Sequence, residues 1–106
     1  MKPARLRPRA KQDLSDTAVY YAEQGGTALG SRFLKAATTA LEPLRRMPGL
    51  GSPRLAYDCR IPGLRVWRVH GWPVVWLYVK RDAFLDVLRL LGERQDIVAI
   101  LHDDNT

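Results

Sequence analysis

Arginine is the residue type in this sequence with the widest scope for chemistry. Thirteen of the 17 cationic residues are arginines, and against 11 acidic residues the cations give a formal net charge of +6. A guanidinium can bind a carboxylate or a phosphate through two parallel hydrogen bonds, so this composition favours an acidic partner. A basic surface also keeps a small protein in solution, and charge alone does not identify the partner.

Three arginines, Arg65, Arg89 and Arg94, are the candidate target-binding residues. The first two fall in different predicted strands, and Arg94 opens the segment after the last strand. Because side chains alternate between the faces of a strand, all three can converge on one face or edge of a sheet. The alternative is that the strand arginines form ion pairs within the chain. The acidic residues considered as their partners are Asp58, Asp86 and Asp96.

Other reactive residue types do not form a recognisable site. Cys59 as a nucleophile would need a nearby histidine and an orienting carboxylate, but His70 falls in a strand and His102 near the end of the chain. Metal ligands are not clustered at short spacing, and Asp103-Asp104 is typical of a solvated terminus. The sequence therefore predicts no catalytic residue, no metal site and no cofactor.

Two helices are predicted in the N-terminal half. A short strand begins at Leu6, and Pro8 suits the first turn of a helix because its missing N–H would have no partner there. Small and apolar residues then recur at helical spacing until Gly25-Gly26 ends the pattern. A second apolar stripe follows Thr27 and ends at Pro48-Gly49. The two stripes predict an antiparallel helical hairpin.

Three hairpin-linked strands are predicted in the C-terminal half, after a connecting loop at residues 50–60. They cover residues 64–70, 74–80 and 84–91. The middle strand is apolar at both sets of alternating positions, as a central strand covered on both faces requires. One face can take the helical hairpin. The other can take either a tail helix, in which Ile97, Ile100 and Leu101 share one side, or a segment of another protein.

The predicted fold is therefore α+β, with an N-terminal helical hairpin packed on a small antiparallel β-sheet and a short C-terminal helix. The length suits a single domain that covers residues 1–106. The only cysteine cannot form an internal disulfide, and we find neither a signal-peptide pattern nor an apolar run of membrane-spanning length. A soluble protein of the reducing cytoplasm is expected.

The order of these elements resembles the ParE branch of the RelE/ParE toxins of bacterial toxin–antitoxin modules. The resemblance covers nearly the whole chain, starting from a basic leading strand. The motifs that carry it are Asp13-Leu14, Tyr21, Pro62-Gly63-Leu64-Arg65, Leu88-Arg89-Leu90-Leu91, Arg94 and Asp96-Ile97. The chain departs from many relatives at Gly92 and Glu93, where a histidine and a glycine are common, and at Gln95, where a second arginine is common.

The resemblance implies the toxin component of a type II toxin–antitoxin module. Such a protein is expected to inhibit DNA gyrase by protein–protein binding, without catalysis, and to be neutralised by a cognate antitoxin in a hetero-oligomeric complex. The alternative is a ribosome-dependent mRNA endoribonuclease of the RelE type, for which Lys80, Arg65, Arg89 and Tyr78 can supply cations and a phenol. The sequence contains no evident general acid for this endoribonuclease mechanism. A basic nucleic-acid-binding adaptor is the third possibility.

An acidic antitoxin segment, disordered before it binds, is expected to fold over the sheet and the first helix. The basic charge of the chain and the two-sided apolar strand both favour such a partner. The candidate antitoxin-binding residues are Leu14, Tyr21, Arg65, Trp76 and Tyr78.

Overall fold

In a computed structural model that describes residues 1–103, the chain forms four strands and five helices. The strands are β1 (Ala4–Leu6), β2 (Leu64–Arg68), β3 (Val74–Lys80) and β4 (Leu85–Gly92). The helices are α1 (Pro8–Gly25), α2 (Thr27–Ala40), α3 (Glu42–Arg46), α4 (Ala56–Cys59) and α5 (Ile97–Asp103). The predicted helical hairpin, hairpin-linked strands and C-terminal helix are confirmed. None of the helices in this range is long and apolar enough to cross a membrane.

The strands form one sheet in the order β1-β4-β3-β2. The pairs β2–β3 and β3–β4 are antiparallel, as predicted, but β1 pairs with β4 in parallel, with Ala4 opposite Leu85 and Leu6 opposite Val87. The sheet is therefore mixed. The first strand ends at Leu6, where the sequence predicted that it begins, because helix α1 starts at Pro8 and leaves no room for a longer strand.

The helical hairpin of α1 and α2 covers one side of the sheet, which we call the hairpin face. Its core joins Phe33 and Ala37 of α2 to Trp76, Tyr78 and other strand residues. The two helices pack closely, since a Cβ added to Gly30 of α2 would lie 2.9 Å from the carbonyl oxygen of Ala18 in α1. The absence of a side chain at Gly30 thus permits this contact.

Helices α4 and α5 cover the opposite side, which we call the tail face. Leu64, Leu77 and other strand residues pack there against Cys59, Ile97 and Leu101. The prediction that β3 is covered on both faces is confirmed, with α5 as part of the second cover. The 50–60 segment is more ordered than a loop, because it contains α4 and a bridge from Ser52 to Val66 of the edge strand.

Strand β4 contains a β-bulge that changes which face its side chains occupy. Leu77 of β3 lies opposite Arg89, while the next residue, Tyr78, lies opposite Val87, so that Leu88 is one residue too many. A bulge of this kind places two successive residues of one strand against a single residue of its partner. Leu85 and Val87 therefore face the hairpin before the bulge, and Leu90 faces it afterwards. The register puts Arg89 on the tail face with Leu77.

Candidate functional site

Arg65 lies on β2 and holds the segment that follows α3. Its guanidinium donates hydrogen bonds from Nη1 to the carbonyl oxygens of Gly49 and Gly51, at 3.1 and 2.6 Å. The side chain is half-buried and lies beside Tyr78 in the antiparallel register. Two of its donor contacts thus stabilise the chain's own loop, which limits what this guanidinium can offer to a target or an antitoxin.

Trp76 and Tyr78 are fully buried on the hairpin face. The indole of Trp76 donates to the carbonyl oxygen of Ala37 at 2.9 Å, and the hydroxyl of Tyr78 donates to that of Pro48 at 2.7 Å. In this structure α2 and the loop after α3 cover both side chains, so neither offers exposed surface to an antitoxin. Their role in antitoxin binding stays a prediction. The apolar residues on both faces of β3 pack against other elements of the same chain.

The phenol of Tyr78 is also poorly suited to acid–base catalysis. Burial raises its pKa above the ordinary value, and this effect outweighs the opposing influence of the Gly51 N–H, which donates to the hydroxyl at 2.9 Å, and of the Arg65 charge. A phenol whose pKa is raised stays protonated near neutral pH and is a poor general base. The phenol considered for a nuclease mechanism is instead part of the core.

Arg89 forms a buried ion pair with Asp13 of α1. The guanidinium contacts both carboxylate oxygens, with Nε to Oδ2 at 2.7 Å and Nη2 to Oδ1 at 3.0 Å, and only 7% of the residue is exposed. Oδ2 of Asp13 also accepts the backbone N–H of Leu90 at 3.0 Å. Strand β1 pairs only with Leu85–Val87 of β4, so it provides no acceptor for the N–H of Leu90. The Asp13 carboxylate provides that acceptor instead.

The three candidate target-binding arginines do not converge. Arg65 shares the hairpin face with its register partner Tyr78, whereas the bulge turns Arg89 to the tail face. Simple alternation along β4 would have given Arg89 the same face as Val87. The ion-pair alternative holds for Arg89, but its partner is Asp13 and not one of the three acids that the sequence suggested.

Arg94 is the exposed member of the three, in the turn between β4 and α5. Within residues 1–103 its guanidinium has no hydrogen-bond or ion-pair partner. The turn around it is well fixed, because Gln95 accepts the N–H of Gly92 at 2.6 Å and Asp96 accepts that of Ala99 at 3.1 Å. The turn therefore presents the Arg94 charge to solvent on an ordered support.

The departures from the family pattern have structural roles of their own. Gln95 closes the turn through its contact with Gly92, and Glu93 forms an ion pair with Arg68 of the edge strand at 2.9 Å. These contacts tie the start of the tail to the sheet. The chain thus keeps an ordered turn around Arg94 without the residues that are common in relatives.

Leu14 and Tyr21 of α1 are partly buried at the edge of the hairpin-face core. The ring of Tyr21 packs against Trp72 and Phe33, with centroids 4.8 and 5.1 Å apart. Sequence reasoning missed the exposed apolar side chains of the same hairpin, although each interrupts the polar side of its helix. These are Val19, Tyr20 and Leu34, which are 55%, 54% and 39% exposed.

A second ion-pair cluster, also missed, lies where β1 meets β4. Both oxygens of Asp86 accept hydrogen bonds from Arg7, at 2.9 and 2.8 Å, and Oδ2 also accepts from Arg81 at 3.0 Å. These contacts, with that of Arg7 the largest, hold the pKa of Asp86 below its ordinary value despite burial. The parallel pairing of β1 with β4 brings Arg7 next to Asp86, and no local sequence pattern indicates that pairing.

The remaining reactive groups are not arranged for chemistry. Burial raises the pKa of the Cys59 thiol, which therefore stays protonated near neutral pH. His102 contacts the carbonyl oxygen of Asp58 through Nε2 at 3.2 Å. Across residues 1–103 we find no group of three or more His, Cys, Asp or Glu side chains that could hold a metal ion.

Comparison with known proteins assigns this chain to a family. Residues 4–102 match the model of the ParE toxin of the type II toxin–antitoxin system parDE, and the chain belongs to that family. The fold is similar to that of a solved chain described as "Chromosomal ParDE TA system from P. aeruginosa", with a TM-score of 0.74 and 19% sequence identity. That similarity covers 87% of this chain and 96% of the solved one. No curated protein sequence matches the chain.

Proposed function

We propose that this chain is a toxin that inhibits DNA gyrase by protein–protein binding and is neutralised by a cognate antitoxin in the cytoplasm. Family membership supports the toxin assignment. The observation that carries the non-catalytic mechanism is the exposed Arg94, presented on an ordered turn while Arg65 and Arg89 are engaged within the chain. A solvent-exposed guanidinium without an internal partner can bind an acidic surface of a target.

The arrangement of the other polar groups favours inhibition over RNA cleavage. A ribonuclease needs cations around the scissile phosphate together with a general acid and a general base. Here Tyr78 is buried and Arg65 and Arg89 lie on opposite faces of the sheet. In residues 1–103 these candidates do not share one exposed surface.

The exposed apolar residues of the helical hairpin are the proposed primary contact of the antitoxin. Val19 and Tyr20 lie on α1, which also carries the partly buried Leu14 and Tyr21, and Leu34 lies on α2. Exposed apolar side chains on a small domain are typical of protein–protein contact surfaces when they cluster. A segment that covers them would bury apolar area and stabilise the folded toxin by mass action.

Replacement of Arg94 tests the target surface. We expect Arg94→Ala, expressed without an antitoxin, to lose most of the growth arrest, filamentation and DNA-damage response of the wild-type chain. Its free energy of unfolding should change by no more than about 0.5 kcal/mol, because the exposed side chain has no hydrogen bond or ion pair to lose within residues 1–103. Arg32→Ala is the matched control, since Arg32 is also exposed but lies on α2.

Three outcomes would contradict the proposal. Growth arrest that persists in Arg94→Ala but disappears in a folded Arg65→Ala variant would move the active surface to the sheet. Rapid cleavage of transcripts at ribosomal positions, with intact gyrase activity, would favour the nuclease. Binding to nucleic acid without any toxicity, and with a steep salt dependence, would favour the adaptor.

A further inference from the structure

The ion pair between Arg68 and Glu93 lies directly beside the exposed Arg94 in the sequence. Arg68 is the last residue of the edge strand β2, and its Nε donates to Oε2 of Glu93 at 2.9 Å. The main chain of Glu93 is fixed as well, because its N–H donates to the carbonyl oxygen of Pro73 at 3.0 Å. The carboxylate is therefore directed from the turn after β4 toward the edge strand.

Glu93 and Arg94 are consecutive residues, but their side chains have different surroundings. The side chain of Glu93 is 31% exposed and is ion-paired, whereas Arg94 is exposed and has neither a hydrogen bond nor an ion pair within residues 1–103. Asp96, two positions after Arg94, also has a partner, because its Oδ1 accepts the N–H of Ala99 at 3.1 Å. The two carboxylates nearest to Arg94 in the sequence are thus both engaged elsewhere.

A free carboxylate next to Arg94 would compete with an acidic partner. The Cα atoms of consecutive residues are about 3.8 Å apart, so a Glu93 side chain released from Arg68 can reach the Arg94 guanidinium. Even without direct contact its charge would lie within the Debye length, about 10 Å at 0.1 M salt, of a group bound to Arg94. Competition and repulsion both lower the affinity of this guanidinium for an acidic group.

Arg68 also changes the local charge of the turn. Residues 93–96 contain two carboxylates, Glu93 and Asp96, and one guanidinium, so that the turn by itself carries a net negative charge. The guanidinium of Arg68 offsets one of these carboxylates through the ion pair. An acidic partner is therefore not repelled by a net negative turn when it approaches Arg94.

We propose that Arg68 is a positioning residue for the target contact: it holds the Glu93 carboxylate at the edge strand and so keeps Arg94 available to an acidic group of a partner. Arg68 acts on that partner only through Glu93 and Arg94. The identity of the partner, as the target of the toxin, rests on the proposed function. The availability of Arg94 is a property of the chain alone and is measured without a partner.

Chemical modification of the purified full chain measures this availability. Phenylglyoxal reacts with guanidinium groups, and mass spectrometry of the resulting peptides gives the rate at Arg94. We expect Arg68→Ala to slow the modification of Arg94 about two- to fivefold, the factor that corresponds to an exposed ion pair. Glu93→Gln should not slow it, and the double variant with both substitutions should recover the wild-type rate. Arg54→Ala, which removes an exposed arginine before α4, is the matched control and should leave the rate unchanged.

The same variants are scored for growth arrest at matched expression levels. We expect Arg68→Ala to raise the amount of protein needed for arrest about two- to fivefold, and the double variant with Glu93→Gln to recover the wild-type value. Arg68→Lys keeps a cation within reach of Glu93 and should retain the arrest. An ion pair that only ties the turn to the sheet predicts a different pattern, in which the double variant is at least as impaired as Arg68→Ala.

Two results would overturn this role of Arg68. An equal rate of modification at Arg94 in Arg68→Ala and in the wild type would show that Glu93 does not compete for that guanidinium. A double variant as impaired as Arg68→Ala would show that Arg68 acts otherwise than through Glu93. Thermal unfolding of each variant verifies that the compared chains are folded, and little change is expected from the loss of an exposed pair.

Failure of the proposed function is recognised by other observations. A wild-type chain that does not arrest growth, or an Arg94→Ala chain that arrests it fully, would remove the target contact, and the modification rates would still decide the role of Arg68. A chain that arrests growth through Arg94 but shows the same modification rate in all variants would keep the target contact and remove the role of Arg68.

Discussion

The two faces of the sheet are covered in different ways. The hairpin face lies under two helices of 18 and 14 residues, and its core contains the aromatic group of Phe33, Trp76 and Tyr78. The tail face lies under helices of four and seven residues, and its core is aliphatic. Its margin next to α1 is held by the two ion-pair clusters around Asp13 and Asp86.

The two kinds of cover are expected to contribute differently to the free energy of unfolding. Large buried aromatic side chains dominate the energetics of a core, whereas ion pairs at a margin add less and respond to salt and pH. The exposed Arg94 lies in the turn that leads into α5, one of the two helices over the tail face. We infer that the hairpin face holds the fold together, whereas the proposed target contact lies beside the tail face.

Paired deletions in the two cores give the largest expected effects. Phe33→Ala should lower the free energy of unfolding by about 3 to 5 kcal/mol, as expected for a fully buried aromatic side chain. Leu101→Ala should cost about 1.5 to 3 kcal/mol and should accelerate hydrogen exchange in α5 alone. Urea unfolding measures both, and Leu34→Ala is an exposed control on α2. Equal losses from the two deletions would contradict the comparison.

Removal of Asp13 probes the buried ion pair that joins the hairpin to β4. Asp13→Ala removes the carboxylate that accepts two hydrogen bonds from Arg89 and leaves the N–H of Leu90 without its acceptor, so the expected cost is about 2 kcal/mol. Asp16→Ala, one turn along the same helix and exposed, should change the free energy of unfolding by less than about 0.5 kcal/mol. A small effect from both variants would show that the pair is dispensable.

The pH dependence of stability tests the cluster around Asp86 and is the smallest effect. The pKa of Asp86 is lowered in the folded chain, so its contribution is present above its unfolded pKa of about 3.9 and is lost as the pH falls through the folded pKa. Arg7 and Arg81 are each about half exposed, which limits the contribution to about 1 kcal/mol. Asp86→Asn should flatten the loss of stability below pH 4, as measured by thermal unfolding in acid.

Most of the fold could be predicted because it follows from local patterns. The apolar stripes of α1 and α2 and the two-sided apolar pattern of β3 each identify an element and its surroundings. The parallel pairing of β1 could not be predicted, since Ala4–Leu6 is too short for a period and its partner is at the other end of the chain. The bulge at Leu88 likewise has no local sequence signal.

The candidate site was harder to predict than the fold for the same reason. One extra residue in β4 moved Arg89 to the opposite face from Arg65 and gave it Asp13, 76 positions away, as a partner. The position of Arg94 could be predicted from local sequence alone, because it depends only on where β4 ends. The structure places Arg94 in the turn after β4. Its role as a target contact stays a prediction.

The pairing of β1 with β4 also sets when the protein can fold during its synthesis. Ala4 and its partner Leu85 lie 81 positions apart in the sequence (85 − 4 = 81). Long-range pairing of this kind is slow, and it cannot begin before both strands have been synthesised. The helical hairpin and the β2–β3 pair can form earlier from residues closer together in the sequence, and the four-stranded sheet is complete only after β4 has been made.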